Sequence, residues 1–451
     1  MNEPIPQGWK KEPLRNLSQV VSGGTPSRYA PEFWDRGTIP WVTPTDITGS
    51  NGRYLSETRE HITELGLHSC SAKLLPSGSL LMTSRATLGE VRIAVGEVCT
   101  NQGFKSLIPF KGVDGQFLFY QIGLNKERYK GLGIGSTFLE VNKRDTERFE
   151  VLVAPECEQS RIAEILSTLD EAIEQTEALI AKHQQIKAGL MHDLFTRGVT
   201  PDGHLRPTRE QAPDLYKESP LGWIPKEWEV SQLGEVAEVN RGKFTIRPRN
   251  DPRFYGGQYP FIQTGDVSLA NGRVLSTFSQ TLNQSGLAVS RLFDEGTIMV
   301  TIAANIADTC VLGLPMCAPD SLVGVLPNKG QVSRFLQLCI SRRKSWLEAR
   351  APQTAQKNIN LEDLRPLLIP TPCQHEQEAI AAIYECVDFS LAASEQMVEK
   401  LRQQKHGLMH DLLTGRVRVP VAETERGHVM TGLTCVGLRY ANPTYKAGVV
   451  S

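Results

Sequence analysis

The segment Gly189-Leu-Met-His-Asp-Leu-Phe-Thr196 recurs as Gly407-Leu-Met-His-Asp-Leu-Leu-Thr414, 218 positions later (407 minus 189). Glu158-Gln159, Ile162-Ala163 and Ile165 recur at this offset as Glu376-Gln377, Ile380-Ala381 and Ile383. Near this offset, Asn51-Gly-Arg53 recurs as Asn271-Gly-Arg273, and Ile5-Pro6 with Trp9 recurs as Ile224-Pro225 with Trp228. A steady offset predicts two copies of one structural unit. Two similar faces suit a partner that is itself two-fold and extended.

Each repeated segment closes a long amphipathic pattern. Apolar positions step by alternating four and three residues, the spacing of a coiled-coil seam. The first seam comprises Ile162, Leu166, Leu169, Ile173, Ile180, Leu190 and Leu194, and the second comprises Ile380, Val387, Leu391, Val398, Leu401, Leu408 and Leu412. Polar residues interrupt both seams at equivalent places, Thr176 and Lys187 in the first and Ser394 and Lys405 in the second. We expect two helices about 50 Å long that pack antiparallel, with these polar residues fixing their register.

The remaining sequence of each copy indicates a small α+β body. Short β-type runs at 39–43, 79–83 and 297–302 are bounded by turn residues. Gly78 and Gly296 each precede such a run, and short helices are expected at 116–124 and 334–350. The fold class is therefore α+β, with two tandem α/β domains separated by an antiparallel pair of long helices and related by an internal pseudo-two-fold repeat. Predicted boundaries are 1–157 and 224–372 for the domains, 158–197 and 373–419 for the helices, 198–223 for a linker, and 420–451 for a tail.

Composition indicates a globular protein. With 40% hydrophobic and 22% charged residues the chain is typical of a globular protein. No apolar run reaches the ~20 residues of a membrane span, and the N-terminus lacks a secretory pattern. Nine cysteines without a Cys-x-x-Cys pair are typical of reduced thiols. We therefore expect a cytoplasmic protein with no membrane partner.

Charge is divided between bodies and helices. Residues 5–155 contain 18 Lys and Arg against 15 Asp and Glu, and residues 224–372 contain 16 against 13. Each helical segment, 158–194 and 376–412, has three basic against seven acidic residues. Mildly basic bodies are compatible with phosphate binding, but a solvated mixed surface would give the same surplus.

Several catalytic motifs are missing. The chain has no Pro-Pro, and hence no Asn/Asp-Pro-Pro-Tyr motif of adenine-N6 methyltransferases. Asn442-Pro-Thr-Tyr445 is a poor match to it. There is no Asp/Glu-x-Lys triplet of the common nuclease core and no Gly-Lys-Ser/Thr of a P-loop. His406 and His410 are spaced like metalloprotease ligands, but the glutamate of that motif is replaced by Gly407, so we expect neither a metal site nor catalysis.

The order of motifs resembles the DNA-specificity subunit of type I restriction–modification systems. Each body ends in a Pro followed by Glu-Gln-x-x-Ile-Ala-x-Ile, and each long helix closes on Leu-Met-x-x-Leu. Glu218-Ser-Pro-Leu-Gly-Trp-Ile-Pro-Lys-Glu-Trp228 and Gln356-Lys-Asn-Ile-Asn360 also resemble that family. The resemblance covers residues 5–419, and the tail has no counterpart in it.

The resemblance implies a role in DNA recognition. Each body would be a target recognition domain, and the helices would be spacers that dock two modification subunits. Those subunits would use S-adenosylmethionine to methylate adenine N6, and restriction subunits could join, using ATP and Mg²⁺. The chain itself would bind no cofactor, bind double-stranded DNA, and carry no catalytic residue. The seam residues given above would also hold the docking surface.

Basic residues of the bodies are the candidate DNA contacts. Each of them could equally belong to a solvated face. Arg85 stands where the second copy has Ala303, and Lys105 stands opposite Val323, so equivalent positions could read different bases. The candidates are Arg28, Arg85, Lys105, Lys130, Lys143, Arg144, Arg241, Lys243, Arg247, Arg249, Arg342, Arg343, Lys344 and Lys357.

A bipartite, asymmetric DNA site with an unread gap follows as a hypothesis. Half-sites on one face of a duplex lie about 34 Å apart, which a helix pair about 50 Å long can span. Two other classes of protein stay open: a coiled-coil adaptor that binds only proteins, and a fused methyltransferase–specificity enzyme.

Overall fold

Two compact units make up the chain in the computed structural model, which describes residues 5–50, 52–135, 139–246, 248–303, 305–350 and 358–420. Unit 1 comprises Met1–Glu174 together with Leu401–Ser451, and unit 2 comprises Gln175–Lys400. The boundaries fall inside the two long helices. Each unit therefore contains one body, the N-terminal part of the helix that follows this body, and the C-terminal part of the other helix.

Unit 1 contains a mixed sheet and a smaller one. Its strands are β1 (Lys10–Pro13), β2 (Ser18–Ser22), β3 (Ile39–Val42), β4 (Tyr54–Leu55), β5 (Glu60–Ile62), β6 (Leu80–Met82), β7 (Val91–Ala94), β8 (Cys99–Thr100), β9 (Lys105–Pro109) and β10 (Glu150–Val153). Its helices are α1 (Leu14–Leu17), α2 (Pro44–Gly49), α3 (Glu64–His68), α4 (Gly115–Leu124), α5 (Lys126–Lys130), α6 (Lys143–Arg148) and the start of α7 (Glu156–Thr196), with a 3-10 turn at Pro31–Phe33.

Unit 2 has the corresponding elements and a few more. Its strands are β11 (Tyr216–Ser219), β12 (Gly222–Pro225), β13 (Glu229–Gln232), β14 (Ala237–Arg241), β15 (Tyr255–Phe261), β16 (Val274–Leu275), β17 (Gln280–Leu282), β18 (Arg291–Phe293), β19 (Ile298–Thr301), β20 (Thr309–Leu312), β21 (Met316–Ala318), β22 (Leu322–Pro327) and β23 (Leu368–Thr371). Its helices are α8 (Leu233–Val236), α9 (Thr264–Ala270), α10 (Gln284–Val289), α11 (Ser333–Arg342), α12 (Lys344–Arg350), α13 (Leu361–Leu364) and α14 (Gln374–Leu413), with 3-10 turns at Pro213–Leu215 and Pro252–Phe254.

The two bodies share one topology. The five-stranded sheet runs β2-β9-β6-β7-β4 in unit 1 and β14-β22-β19-β20-β16 in unit 2. In both sheets the first three pairings are antiparallel and the last is parallel. The smaller sheet is β5-β3-β8 in unit 1 and β17-β15-β21-β18 in unit 2. The repeat expected from the sequence is therefore a repeat of structure.

Apolar side chains from the larger sheet and one helix build each core. In unit 1, buried strand residues such as Leu80 and Leu107 pack with Leu118 and Ile122 of α4. In unit 2, Ile298 and Val325 occupy the corresponding strands, and buried residues of α11 pack against the sheet. The alternation of buried and exposed residues is weak in β6, β19 and β20 because these central strands are covered on both faces.

One predicted helix is wrong. The pattern at 334–350 predicts a single helix, but the structure has α11 and α12, separated at Arg343, whose backbone lies at φ −94° and ψ 7°. After the break, Leu347 of α12 is fully buried in the core of unit 2, so core packing accompanies the change from one helix to two. The predicted segment 373–419 is also helical only as far as Leu413.

A positive-φ glycine follows each long helix. Gly198 (φ +64°) lies two residues beyond α7, and Gly415 (φ +72°) lies two residues beyond α14. A Cβ at Gly198 would come within 2.5 Å of Trp228, and a Cβ at Gly415 within 2.6 Å of Pro6 and 3.3 Å of Trp9. The chain therefore needs glycine here for both conformation and space.

The long helices are antiparallel in each unit. In unit 1 the Lys405 ammonium of α14 lies 2.5 Å from the Asp170 carboxylate of α7. In unit 2 the Lys187 ammonium of α7 lies 2.5 Å from the Asp388 carboxylate of α14. Every seam position named above is buried or half-buried. The two seam lysines thus make equivalent ion pairs, consistent with a role in register.

Each of these carboxylates also fastens a body to the helices. Asp170 accepts a 2.6 Å hydrogen bond from the Tyr120 hydroxyl and lies 3.6 Å from Arg53. Asp388 lies 3.1 Å from Arg273 and 3.9 Å from Arg334. We call these clusters the carboxylate joints. They account for the arginine of the Asn-Gly-Arg motif in both copies.

The start of each long helix is anchored by a second carboxylate. Glu158 accepts hydrogen bonds from Trp9 Nε1 at 3.2 Å and Arg418 Nε at 3.0 Å. Glu376 accepts them from Trp228 Nε1 at 3.0 Å and Arg206 Nη2 at 3.1 Å. The predicted linker 198–223 is an ordered part of unit 2, because it supplies the buried Arg206 and the strands β11 and β12.

The neighbouring glutamines complete the repeated Glu-Gln motif. Gln159 donates to the Ala154 carbonyl at 2.9 Å and accepts from the Asp114 backbone amide at 3.0 Å. Gln377 makes the same two kinds of bond in unit 2, with the Pro372 carbonyl and the Val332 amide. The motif therefore ties the first turn of each long helix to its own body.

Candidate nucleic-acid interface

A turn after the central strand of each body carries the most distinctive local geometry. It spans 83–90 in unit 1 and begins at Thr301 in unit 2. Thr83 Oγ1 accepts the Glu90 amide at 3.0 Å and donates to the Thr87 carbonyl. Thr301 Oγ1 accepts the Asp308 amide at 3.0 Å and donates to Asn305. The threonine hydroxyl thus closes the turn in the same way in both units.

Non-glycine residues adopt left-handed backbone conformations in these turns. Ala86 has φ 56° and Ala307 has φ 61°. Such conformations cost of order 1 kcal/mol or more, and they gather at functional sites. Gly89 (φ 78°) of unit 1 is equivalent to Ala307 of unit 2. The amide of each donates to the carbonyl of the threonine that begins its turn. The backbone conformation of these turns is therefore maintained at some cost in stability.

An isolated β-bridge joins each turn to a distant segment. Arg85 pairs with Glu140 in unit 1, and Ala303 pairs with Asn358 in unit 2, both antiparallel. Both partners are displaced by the repeat offset of 218 (303 minus 85, and 358 minus 140). The same backbone bridge therefore presents an Arg–Glu pair in one unit and an Ala–Asn pair in the other. We call these the bridge pairs.

The bridge pair of unit 1 is charged and half exposed. Arg85 Nη2 lies 2.8 Å from Glu140 Oε2, with side-chain exposures of 44% and 35%. Behind them the buried Lys105 ammonium lies 3.5 Å from Glu140 and donates to Ser84 Oγ at 3.2 Å. Two cations thus share one carboxylate, so this cluster has a net charge of +1.

Burial and pairing perturb the titration of this cluster. Burial lowers the pKa of Lys105, and the charge of Glu140 offsets this only in part. Burial alone would raise the pKa of Glu140, but the hydrogen bond and charge of Arg85 bring that pKa below its usual value. Glu140 is therefore held ionised as an acceptor.

The bridge pair of unit 2 is uncharged. Asn358 is exposed, Ala303 is half-buried, and Val323, at the position of Lys105, is fully buried. Val323 carries no charge, so this position of the scaffold does not require one. The two units therefore present the same backbone with different hydrogen-bonding groups.

Comparison with known proteins identifies the family. A family model described as "Type I restriction modification DNA specificity domain" matches residues 6–184 and again 225–402. The chain belongs to this family. Its two matches coincide with the two repeats, so each copy is one specificity domain.

Several curated relatives are specificity subunits. The chain is 32% identical over 261 residues to the type I restriction enzyme MjaIX specificity subunit of Methanocaldococcus jannaschii, covering 57% of this chain and 58% of that one. It is 24% identical to the putative MjaX specificity subunit of the same organism, covering 92% and 95%. The specificity subunit has a non-catalytic role in a type I system.

Solved structures share the fold. The S subunit of a type I system from M. genitalium is 16% identical and matches with a TM-score of 0.60, covering 92% of this chain and 97% of that one. A chain from a structure on complex assembly and conformational transition of the type I R-M system matches at 0.52, with 18% identity and coverage of 92% and 100%. Among the described residues of this family member, no helix is long and apolar enough to cross a membrane.

The bridge pairs bring together only some of the predicted DNA contacts. Arg85 and Lys105 meet at Glu140. Arg28 instead makes an ion pair with Glu60, at 2.8 Å through Nη2, and stacks on Trp34. Lys130 pairs with Glu127 at 2.6 Å, Lys143 lies 3.6 Å from Glu147, and Arg144 is exposed.

Predicted contacts in unit 2 fall into two groups. Arg241 donates to the Asp320 carbonyl at 2.6 Å, and Arg249 lies 2.5 Å from the Asp320 carboxylate. Lys243, between them in the sequence, is exposed. Elsewhere, Arg342 lies over the Phe195 ring of α7, Arg343 lies at the helix break, and Lys344 pairs with Asp308 at 2.5 Å. Arg247 and Lys357 lie outside the described residues.

Sequence reasoning missed the second member of each bridge pair. Glu140 and Asn358 lie 55 residues from their partners (140 minus 85, and 358 minus 303), and only the fold joins them. Their shared offset of 218 was a usable signal, since it is the offset of Arg85 and Ala303. The offset identifies Asn358 as the equivalent of Glu140, but it does not show that Glu140 pairs with Arg85.

Proposed function

We propose that the chain is the DNA sequence-recognition subunit of a type I restriction–modification complex. It would read a bipartite, asymmetric duplex site, one half-site with each unit. The observation that carries this proposal is a pair of bodies that share one topology and one threonine-closed turn but have different side chains on the bridge. Differing side chains on an unchanged scaffold are what reading two different half-sites requires.

Two sets of exposed apolar residues, related by the repeat, are the basis for proposing two modification subunits per chain. Tyr54 on β4 and Val274 on β16 occupy corresponding edge strands and are 42% and 56% exposed. Leu179 on α7 and Met397 on α14 are related by the offset of 218 and are 43% and 51% exposed. Repeated exposed apolar residues are typical of surfaces that bind partner proteins. The seam residues predicted to dock partners would act by holding these helices together.

The chemistry would belong to the partners. Modification subunits would bring S-adenosylmethionine and methylate adenine N6, and restriction subunits would use ATP and Mg²⁺. The chain would contribute no cofactor site, and the complex would act on DNA in the cytoplasm. Much of the DNA affinity would come from the partners, since each body has a surplus of only three positive charges.

Methylation of a random DNA library tests this function. The full chain with its modification subunit and S-adenosylmethionine is expected to methylate adenines in one bipartite motif. The chain alone and the modification subunit alone are each expected to give no motif. Methyl transfer by the chain alone would favour the fused enzyme. A complex that forms but methylates without sequence preference would favour a protein-only adaptor.

Helix length is expected to set the unread gap. Insertion of seven residues after Thr176 and after Ser394 keeps the seam in phase and adds about 10 Å to each helix. The recognised gap should widen by about three base pairs, read from the methylated motif. Insertion of four residues at the same places breaks the phase of the seam and should abolish recognition. An unchanged gap in the seven-residue variant would contradict this role for the helices.

A further inference from the structure

We propose that the bridge pairs are base-reading pairs. Arg85 and Glu140 would read a G·C pair in the half-site bound by unit 1. Ala303 and Asn358 would read an A·T pair in the half-site bound by unit 2. This inference rests on the proposed function and assigns the bases that two positions of the site contain.

The two pairs occupy one place in one scaffold. Both lie on an isolated antiparallel bridge, both are related by the repeat offset, and both follow a threonine-closed turn. The bridge pairing and the threonine hydrogen bonds correspond in the two units, while the side chains differ in charge, size and hydrogen-bonding groups. Side chains at such a place can change what is read without changing how the domain folds.

Hydrogen-bonding capacity favours guanine for Arg85. A guanidinium has five N–H donors, and among the described residues only Glu140 lies within ion-pair distance of it. The side chain is 44% exposed, so donors remain for a ligand. Guanine offers two adjacent acceptors, O6 and N7, in the major groove, which match the arginine fork. Glu140, kept ionised by Arg85, can accept from the N4 amine of the paired cytosine.

The buried Lys105 is difficult to explain by stability alone. Burying an ammonium costs free energy unless it is fully paired, and Val323 at the same position of unit 2 shows that the scaffold does not need it. Its charge competes with Arg85 for Glu140. We infer that Lys105 holds Glu140 in position and leaves the guanidinium free to engage an outside acceptor.

The pair in unit 2 has the complementary chemistry. Asn358 is exposed, and a carboxamide has the kinds of donor and acceptor that match N6 and N7 of adenine. The Ala303 methyl group, opposite it on the bridge, can contact the C5-methyl group of thymine. An uncharged pair has no equivalent match to the two acceptors of guanine.

The surroundings of the unit 1 pair also suit a base edge. Ile134, 69% exposed, lies on a bridge to Glu140, and the adjacent Leu139 is 48% exposed. Apolar side chains exposed beside a charged pair gain little from water and can pack against base edges. The left-handed backbone of Ala86 holds the turn at the place where Arg85 projects.

Exchange of the pairs is the decisive experiment. The full chain with its modification subunit is assayed by mapping methylated adenines in a library with randomised positions. The double variant Arg85→Ala/Glu140→Asn places the unit 2 pair in unit 1, and one G·C position of the motif is expected to become A·T. Arg85→Ala alone should lose about 5- to 150-fold discrimination at that position.

Control variants separate base reading from other roles. Lys11→Ala removes a partly exposed cation of the same unit that is already paired with Glu150, and the motif should be unchanged. Arg85→Lys keeps the charge but not the fork, so it should lose discrimination at the same position, and it serves if the alanine variants fail to fold. If methylation fell equally at all sites and the motif did not change, Arg85 would be assigned to a phosphate contact and the inference would be overturned.

The outcomes also distinguish this inference from the proposed function. If the wild-type complex has no motif, the proposed function fails. If the wild-type complex has a motif and every bridge-pair variant keeps it unchanged, the inference fails and the proposed function stands.

Discussion

Replacement of Asp388 by alanine is expected to lower the free energy of unfolding of unit 2 by about 3–5 kcal/mol. The carboxylate is buried and receives Lys187 at 2.5 Å and Arg273 at 3.1 Å, with Arg334 at 3.9 Å. Its removal leaves these cations partly buried without their shared acceptor, which is the costly way to break a buried ion pair. Urea unfolding followed by circular dichroism measures the change.

The control is a carboxylate on the same helix that is not buried. Glu378→Ala removes an exposed side chain of α14 and should change the unfolding free energy by less than about 0.5 kcal/mol. Asp170→Ala should destabilise unit 1 in the same way as Asp388→Ala destabilises unit 2. An Asp388→Ala variant as stable as Glu378→Ala would show that the carboxylate joint contributes nothing.

The pH dependence of this effect has a definite sign. Burial alone would raise the pKa of Asp388, but the hydrogen bonds and charges of Lys187 and Arg273 bring it below its ordinary value of 3.8. A lowered pKa contributes stability that is present above the ordinary value and is lost as the pH falls through the folded value. Wild type should therefore lose more stability than Asp388→Asn on acidification below 3.8.

Replacement of Glu376 by alanine is expected to have an effect of similar size. Its carboxylate, 7% exposed, accepts from Trp228 Nε1 at 3.0 Å, Arg206 Nη2 at 3.1 Å and the Val199 amide at 2.8 Å. Without it, donors from three residues lose their acceptor at once, and we expect the free energy of unfolding to fall by about 3–5 kcal/mol. Near-ultraviolet circular dichroism and urea unfolding report the loosening around Trp228.

Two further variants apportion that loss. Trp228→Phe keeps most of the aromatic packing but removes the indole N–H, and should cost about 1–3 kcal/mol. Glu378→Ala, two residues along the same helix, should be near neutral because that side chain is exposed. If Glu376→Ala unfolded at the same urea concentration as Glu378→Ala, the anchoring of α14 by Glu376 would be refuted.

Long helices and central strands were predictable because their signals are local and periodic. The seam positions follow from spacing along one segment, and β6 and β19 follow from β-type runs after Gly78 and Gly296. The break at Arg343 was not predictable, since no proline or glycine marks it. Leu347, which follows the break, is buried in the core of unit 2, and contacts of this kind are known only from the fold.

For the carboxylate joints and the bridge pairs, the sequence indicates one partner of each pair but not the other. Lys187 and Lys405 stood out as polar seam residues, but their partners Asp388 and Asp170 belong to strongly acidic segments that indicate a solvated face. Likewise Arg85 stood out against Ala303, whereas Glu140 joins it only through a bridge across 55 residues (140 minus 85). Pairings between distant segments depend on tertiary contacts, which the periodicity of one segment does not encode.

Unit 1 is assembled from both ends of the chain, and this has a consequence for biosynthesis. Residues 401–420, which supply Lys405, Leu412 and Arg418, are synthesised after the whole of unit 2, which ends at Lys400. At 5–20 residues per second, the first body waits roughly 10–50 s after residue 174 is made. The body encoded first is therefore the body completed last, and a premature stop near residue 400 would leave the earlier half of the polypeptide unfinished while sparing the later one.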